Sequence, residues 1–231
     1  VRNLRKPVVL HIDNLPEPIE NDLIRICPEE LSLRFLRPSN AGVKGELEEA
    51  DYYMVAAEKI TSKMIDKSPR LKMIQRSGVG YEQVDIEYAR EKGIYLSIAH
   101  GMNATAVAEL CILGILALYR HLVEMVQRTK AGEFPNWIYR HDSYELEGKT
   151  VGVLGGGSIG REVMKKLGIF NCKILYYDIN PMTILEEERL KATFCDLNEI
   201  YRISDVITIH VPLNDSTENM ISDKAFAKMK K

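Results

Sequence analysis

Cysteine is sparse in this chain and never closely spaced: Cys27, Cys111, Cys172 and Cys195 form no C-x-x-C. Such spacing argues against a zinc site and against a disulfide framework, and points to a reducing, cytoplasmic compartment. An excess of charge of either sign is also missing. With 31 Lys+Arg against 33 Asp+Glu, the formal net charge is −2, which gives no electrostatic footprint for nucleic acid or an anionic membrane. Arg2, Arg5 and Lys6 at the start, and Lys228, Lys230 and Lys231 at the end, read as solvated termini. Long apolar runs are absent. Val8–Ile12 is too short for a secretory signal and runs into Asp13. Ala104–Leu118 is interrupted by Glu109 and falls short of the roughly 20 residues of a membrane span, so a buried helix is expected there. The histidines (His11, His100, His121, His141, His210) include no H-E-x-x-H, so no metal site is expected, and no G-x-S-x-G marks a serine nucleophile.

What is present is an ordinary globular composition, 45% hydrophobic and 28% charged over 231 residues, long enough for one large or two modest domains. Short β-rich runs occur at Val8–Asp13, Leu31–Leu36, Tyr52–Ala56, Lys72–Arg76 and Ile94–Ile98. Helical patterns at Ile60–Lys67 and Val84–Lys92 lie between them, the latter capped by Gly93. This alternation predicts a parallel sheet covered on both faces, in a flavodoxin-like layer. A long helix from Ala104 to about Lys130 then separates residues 1–100 from residues 101–231. In the second block, strand Thr150–Leu154 is followed by helix Ser158–Phe170 and strand Lys173–Tyr177. Further strands are expected at Ala192–Cys195 and Val206–His210, with a last helix at Asp223–Lys231. The fold class is therefore α/β, with two doubly wound parallel-sheet domains, the second an incomplete Rossmann domain. Four strands are countable there where the full fold has six, so the chain is expected to be part of a longer polypeptide.

The second block opens with VGVLGGGSIG (residues 151–160). A P-loop needs Lys and Ser/Thr after its last glycine, and Arg161 and Glu162 stand there instead. A dinucleotide fingerprint fits better, because the glycines follow a strand and open a helix. Gly155 then makes the tight turn, Gly157 lets the backbone approach a pyrophosphate, and Gly160 lets helix and sheet pack closely. The N–H groups of Ser158 and Ile159 face the anion at the positive end of the helix. Asp178, 18 residues after Gly160, ends the next strand and is placed to accept both ribose hydroxyls. Its charge, with no Arg at 179–183, predicts NAD rather than NADP. His210 ends a strand at the edge of the same crevice, where a structural role and a cofactor contact both remain open.

Several spaced segments resemble the D-isomer-specific 2-hydroxyacid dehydrogenases: Arg76-Ser77-Gly78-Val79-Gly80-Tyr81 with Val84-Asp85, Asn103 through Glu109, the glycine motif with Arg161, and His210-Val211-Pro212-Leu213 with Thr217. The resemblance implies a substrate domain followed by an NAD domain, acting between NAD(H) and a small 2-hydroxy or 2-keto acid in the cleft between them. It implies that the amides of Val79 and Gly80 hold the substrate carboxylate, an anion nest with little side chain in the way. Asn103 and Thr105 are implied near the nicotinamide end, Val211 and Pro212 on the adenine side, and Thr217 just beyond. The family's catalytic Arg, Glu and His match no residue here. The resemblance places them after the segment matched by Asp223–Lys231, so no catalytic residue is assigned and this stretch alone is expected to be inactive. An NAD-sensing, non-catalytic scaffold is the alternative reading. Tyr52–Ile60 contains only Lys59 where phosphoglycerate-type relatives often carry an Arg, which disfavours a phosphorylated substrate. A homodimer through the 104–130 helix is implied as well.

Overall fold

The computed structural model describes residues 5–37 and 45–230, so Arg2 and Lys231 lie outside the described residues. The chain divides into two compact units, Val1–Met102 and Asn103–Lys231.

The first unit runs β1 (Val8–Ile12), α1 (Glu17–Ile26), β2 (Ser32–Leu36), α2 (Glu46–Glu49), β3 (Tyr52–Val55), α3 (Ser62–Asp66), β4 (Met73–Arg76), α4 (Ile86–Glu91) and β5 (Tyr95–Ile98). Its five strands are all parallel, in the order β2-β1-β3-β4-β5, the flavodoxin-like arrangement. Leu10, Tyr53, Val55 and Ile74 are fully buried within it, as expected of strands covered on both faces. Helix starts are set by side chains: Thr61 accepts from the Met64 amide and Asp85 from that of Tyr88. At the point where the strand order reverses, Asp13 follows β1 and accepts the amides of Ala56, Ala57 and Glu58 beyond β3 at 2.6, 2.8 and 3.2 Å. That carboxylate closes the reversal point of this sheet with protein donors.

The second unit runs α5 (Ala104–Tyr119), α6 (Leu122–Lys130), β6 (Thr150–Leu154), α7 (Ser158–Leu167), β7 (Lys173–Tyr177), α8 (Ile184–Leu190), β8 (Ala192–Phe194), α9 (Leu197–Ile203), β9 (Val206–Ile209) and α10 (Asp223–Phe226). Its strands are parallel in the order β8-β7-β6-β9, so the reversal lies between β6 and β9. Open α/β sheets bind ligands beyond the carboxyl ends of strands at such a point. Met164 and Leu167 of α7 are fully buried against β6 and β7.

Two expectations are corrected. The single helix from Ala104 to Lys130 is two helices inclined by 67°. His121 breaks it by taking a left-handed conformation, φ 50°, which L-residues do not propagate. Its ring stacks on Tyr139 at 4.5 Å, and Nε2 lies 2.8 Å from the Asp142 carbonyl. Nor is Ala104–Leu118 wholly buried, since Leu110, Leu113 and Leu118 are exposed. No single helix among the described residues is long and apolar enough to cross a membrane, although the bent pair passes that test jointly on length and composition. The basic residues described near the two ends are exposed, as expected of solvated termini, and make surface contacts. Arg5 pairs with Asp51 at 2.5 Å, Lys230 with Asp205 at 2.8 Å, and Lys228 donates to Asn198 at 2.6 Å.

Candidate dinucleotide seat

The turn leaving β6 is built around two close approaches. Gly155 has φ +106°, and a Cβ there would meet the His210 carbonyl oxygen at 2.6 Å. Both the backbone conformation and the neighbouring strand end therefore require glycine. A Cβ on Gly160 would collide with the Gly155 carbonyl oxygen, so α7 rests directly on the turn. Gly157 is different: nothing lies within 4 Å of a Cβ built there. It N-caps α7 with no side-chain hydrogen bond of its own, at the end of the helix where the dipole is positive.

Asp178 leaves β7 beside this turn. Its Oδ2 accepts the Gly156 amide at 2.6 Å and its Oδ1 accepts the Asn180 amide at 2.8 Å. Each oxygen keeps a further lone pair. The carbonyl side of Gly156 is also held, because Arg161 Nε donates to it at 2.7 Å. The Arg161 guanidinium is in turn paired with Glu186 on α8. Glu186 closes a capping box with Thr183. The Thr183 amide and the Arg161 guanidinium hold the Glu186 carboxyl below its usual range. Sequence reasoning assigned no role to Arg161 or Glu186. The capping-box spacing was visible, but the contact spans 25 residues.

His210 continues β9, with its amide donating to the Leu154 carbonyl at 2.7 Å. Its Nε2 lies 2.9 Å from Thr208 Oγ1, and Cys111 Sγ lies 3.1 Å from the same hydroxyl. Burial lowers the imidazole pKa, so at neutral pH the ring is uncharged. A structural role is thus visible for His210: its backbone lines the Gly155 turn and its ring is tethered to β9 and α5. Val211 adjoins that turn, 3.2 Å from a Cβ built on Gly155. The Thr217 hydroxyl donates to the Pro212 carbonyl at 2.5 Å and accepts the Asn214 amide at 2.9 Å, closing the turn after His210. Asn103 and Thr105 are exposed at the start of α5.

Val79 and Gly80 belong to the first unit, in the loop after β4. The Gly80 carbonyl accepts Arg76 Nε at 2.8 Å, and the Gly78 carbonyl accepts the Ala99 amide at 3.2 Å. Both oxygens are drawn inward. Arg76 is 6% exposed, and its Nη1 is buried with no hydrogen-bond partner among the described residues. A buried, unpaired guanidinium nitrogen is costly. The Glu82 carboxylate stands over the same loop, its Oε2 2.6 Å from a Cβ built on Gly80. Arg76 stood within the recognised motif, but nothing in its spacing showed that its charge would be buried.

A parallel sheet reversing between β6 and β9, a glycine turn seated on both strand ends, and a carboxylate closing the turn define a Rossmann-type dinucleotide-binding unit. Residues 112–231 match the model of the D-isomer specific 2-hydroxyacid dehydrogenase NAD binding domain, and the chain belongs to that family. It is 38% identical over 176 residues to a glyoxylate reductase of Thermofilum pendens, covering 75% of this chain and 52% of that protein. It is 38% identical over 184 residues to a hydroxypyruvate reductase of Thermotoga maritima, covering 79% and 58%. Among solved structures, a D-lactate dehydrogenase from Aquifex aeolicus, complexed with NAD and lactic acid, superposes with TM-score 0.78 at 28% identity, covering 96% of this chain and 66% of that one. The chain spans about half the length of the curated relatives it matches.

Proposed function

We propose that the protein is an NAD-dependent oxidoreductase acting between small D-2-hydroxy acids and 2-keto acids. The observation that carries this reading is the Asp178 carboxylate, locked to the Gly156 amide at 2.6 Å beside a helix start where nothing lies within 4 Å of a Cβ built on Gly157. A dinucleotide fits these residues. The open position over Gly157, with the amides of Ser158 and Ile159, suits a pyrophosphate. The free lone pairs of Asp178 suit two ribose hydroxyls. Val211 and Pro212 would flank the adenine, with Thr217 holding their turn. His210 would contact the cofactor, and Thr105 would lie toward its nicotinamide end. When bound, NAD(H) supplies the hydride acceptor or donor.

Residues 1–100 take the role of the substrate domain in this reading and residues 101–231 that of the NAD domain. The amides of Val79 and Gly80, with Asn103, would hold the substrate carboxylate. The Arg76 guanidinium beneath the loop favours an anion there, and the Glu82 side chain, which stands over Gly80, would swing aside for one to bind. The reading is tested first on the chain itself by calorimetric titration with NAD and with NADP, where NAD should bind at least tenfold tighter. At the protein's full natural length, NADH should be oxidised in the presence of glyoxylate, hydroxypyruvate, a D-lactate-type keto acid or phosphohydroxypyruvate. No NAD binding by the chain, or no turnover of any of these acids, overturns it.

We also propose a homodimer formed through α5 and α6, in the cytoplasm. Leu113, Leu118 and Val123 support it, being 55%, 79% and 63% exposed on the helix pair, an apolar surface of the kind that marks association. Sedimentation velocity should show twice the monomer mass at micromolar concentration, and Leu113→Arg should return the protein to monomer. A monomeric wild type would sink this assignment.

A further inference from the structure

Asp178 is not the only charged group at the edge of the seat. Gly156 is bracketed by charges of opposite sign: its N–H donates to Asp178 and its C=O accepts from Arg161. A guanidinium is therefore held by the same residue as the carboxylate proposed to read the ribose. Guanidinium groups are strong bidentate partners of phosphate, so an unpaired Arg161 here would favour a 2′-phosphorylated ribose and oppose what Asp178 does. The structure pairs it instead. Glu186 Oε1 takes Arg161 Nη1, while Glu186 Oε2 accepts the Thr183 amide at 3.1 Å and the Thr183 hydroxyl at 3.0 Å. The two oxygens thus have separate tasks, one neutralising the guanidinium and one starting α8. The capping box fixes the carboxylate in place, and the Arg161 contact to the Gly156 carbonyl fixes the guanidinium.

We propose that Glu186 is a specificity-determining residue, which withholds the Arg161 guanidinium from the 2′ position and so reinforces selection of NAD over NADP. This rests on the assignment of the turn and Asp178 as the dinucleotide seat. Discrimination is then the work of two carboxylates: Asp178 repels a 2′-phosphate directly, and Glu186 occupies the cation that would attract it. Selectivity built against the wrong ligand commonly takes this form.

The test uses Glu186→Gln. An amide oxygen still accepts from Thr183, so the start of α8 is kept, while the charge that neutralises Arg161 is lost. Dissociation constants for NAD and NADP are measured by titration at low salt, with a thermal melt to confirm the fold. The NADP affinity relative to NAD should rise roughly fivefold, the scale of an exposed charge pair, and should fall back at high salt as screening sets in. The rise should vanish when Arg161→Met is added, which a double-mutant cycle reads as coupling between the two residues. A purely structural role for Glu186 would weaken both dinucleotides together and leave the ratio unchanged, which overturns the inference. If Glu186→Gln melts early, the ratio is read in Arg161→Met alone. A neutralised guanidinium requires a change below twofold there, and a larger fall in relative NADP affinity overturns the inference. Wild-type protein that binds neither dinucleotide refutes the seat itself. Wild type that prefers NAD, with a ratio insensitive to Glu186→Gln, refutes only the role of Glu186.

Discussion

Gly160→Ala should cost the second unit about 3 kcal/mol, the upper part of the range for overpacking a close contact, and lower its thermal midpoint by roughly 10 °C. The added methyl would collide with the Gly155 carbonyl oxygen and would stand 3.5 Å from Val153 Cγ1. The first of these is backbone, fixed by the pairing of β6 with β7 and β9, so no rotamer change can relieve it. Either α7 lifts from the sheet or the Gly155 turn shifts. Lifting α7 disturbs Val163, Met164 and Leu167, all fully buried. Alanine's better helix propensity returns only about 1 kcal/mol. Gly157→Ala is the control: with no atom within 4 Å of the new Cβ, its stability should stay within about 0.5 kcal/mol of wild type. Its dinucleotide affinity should nevertheless fall, because a methyl group then stands where the pyrophosphate is proposed to approach. Chemical denaturation followed by circular dichroism reads the first effect and titration the second. A Gly160→Ala protein as stable as wild type would show that α7 does not rest on the turn.

The parts of this molecule that were legible in its sequence are those written in local patterns. Each β-strand is a short β-rich run punctuated by glycine, proline or aspartate, and the nine strands among the described residues fall within a residue or two of the patterns that announced them. The stretch from β6 through the glycines to α7 and β7 was legible for the same reason. Other elements depend on partners distant in sequence. The helix from Ala104 onward is apolar on nearly every side, so periodicity gave no sign of its break. The break comes from His121 turning toward Tyr139 and Asp142, a loop of mixed composition without a repeating pattern. The helix α1 was not anticipated, although Ile19, Leu23 and Ile26 stand at helical spacing; it buries none of its residues and begins between Pro16 and Pro18, residues that punctuate loops. Among site residues, no cation follows Asp178 along the chain at 179–183. The cation arrives instead from α7, because Gly156 folds back between Asp178 and Arg161. Charge neighbourhoods of this kind are set by the turn, and only the folded turn shows them.

Asp178→Ala should weaken NAD binding by about ten- to a hundredfold, the scale of hydrogen bonds to a charged acceptor, while NADP binding weakens less or improves. Two effects are folded into that change, and the structure says how to part them. The carboxylate holds the Gly156 and Asn180 amides at 2.6 and 2.8 Å, so its removal frees the turn and would loosen any phosphate bound beyond it, whichever dinucleotide carries that phosphate. The same removal deletes a negative charge from the ribose edge, and that affects the two dinucleotides in opposite directions. Asp178→Asn separates them. Its side-chain oxygen can still accept one of the two amides, so much of the turn is retained, but the charge is gone. If the charge selects NAD, the NADP-to-NAD affinity ratio should rise to a similar extent in the Asn and Ala variants, with the larger absolute loss of NAD affinity in Ala. If the carboxylate serves only to hold the turn, the ratio stays at its wild-type value in both and affinity for the two dinucleotides falls in parallel. The decisive quantity is therefore the ratio measured in Asp178→Asn. A shift there assigns recognition of the ribose to Asp178, and a constant ratio removes that assignment while leaving its structural role in the turn intact.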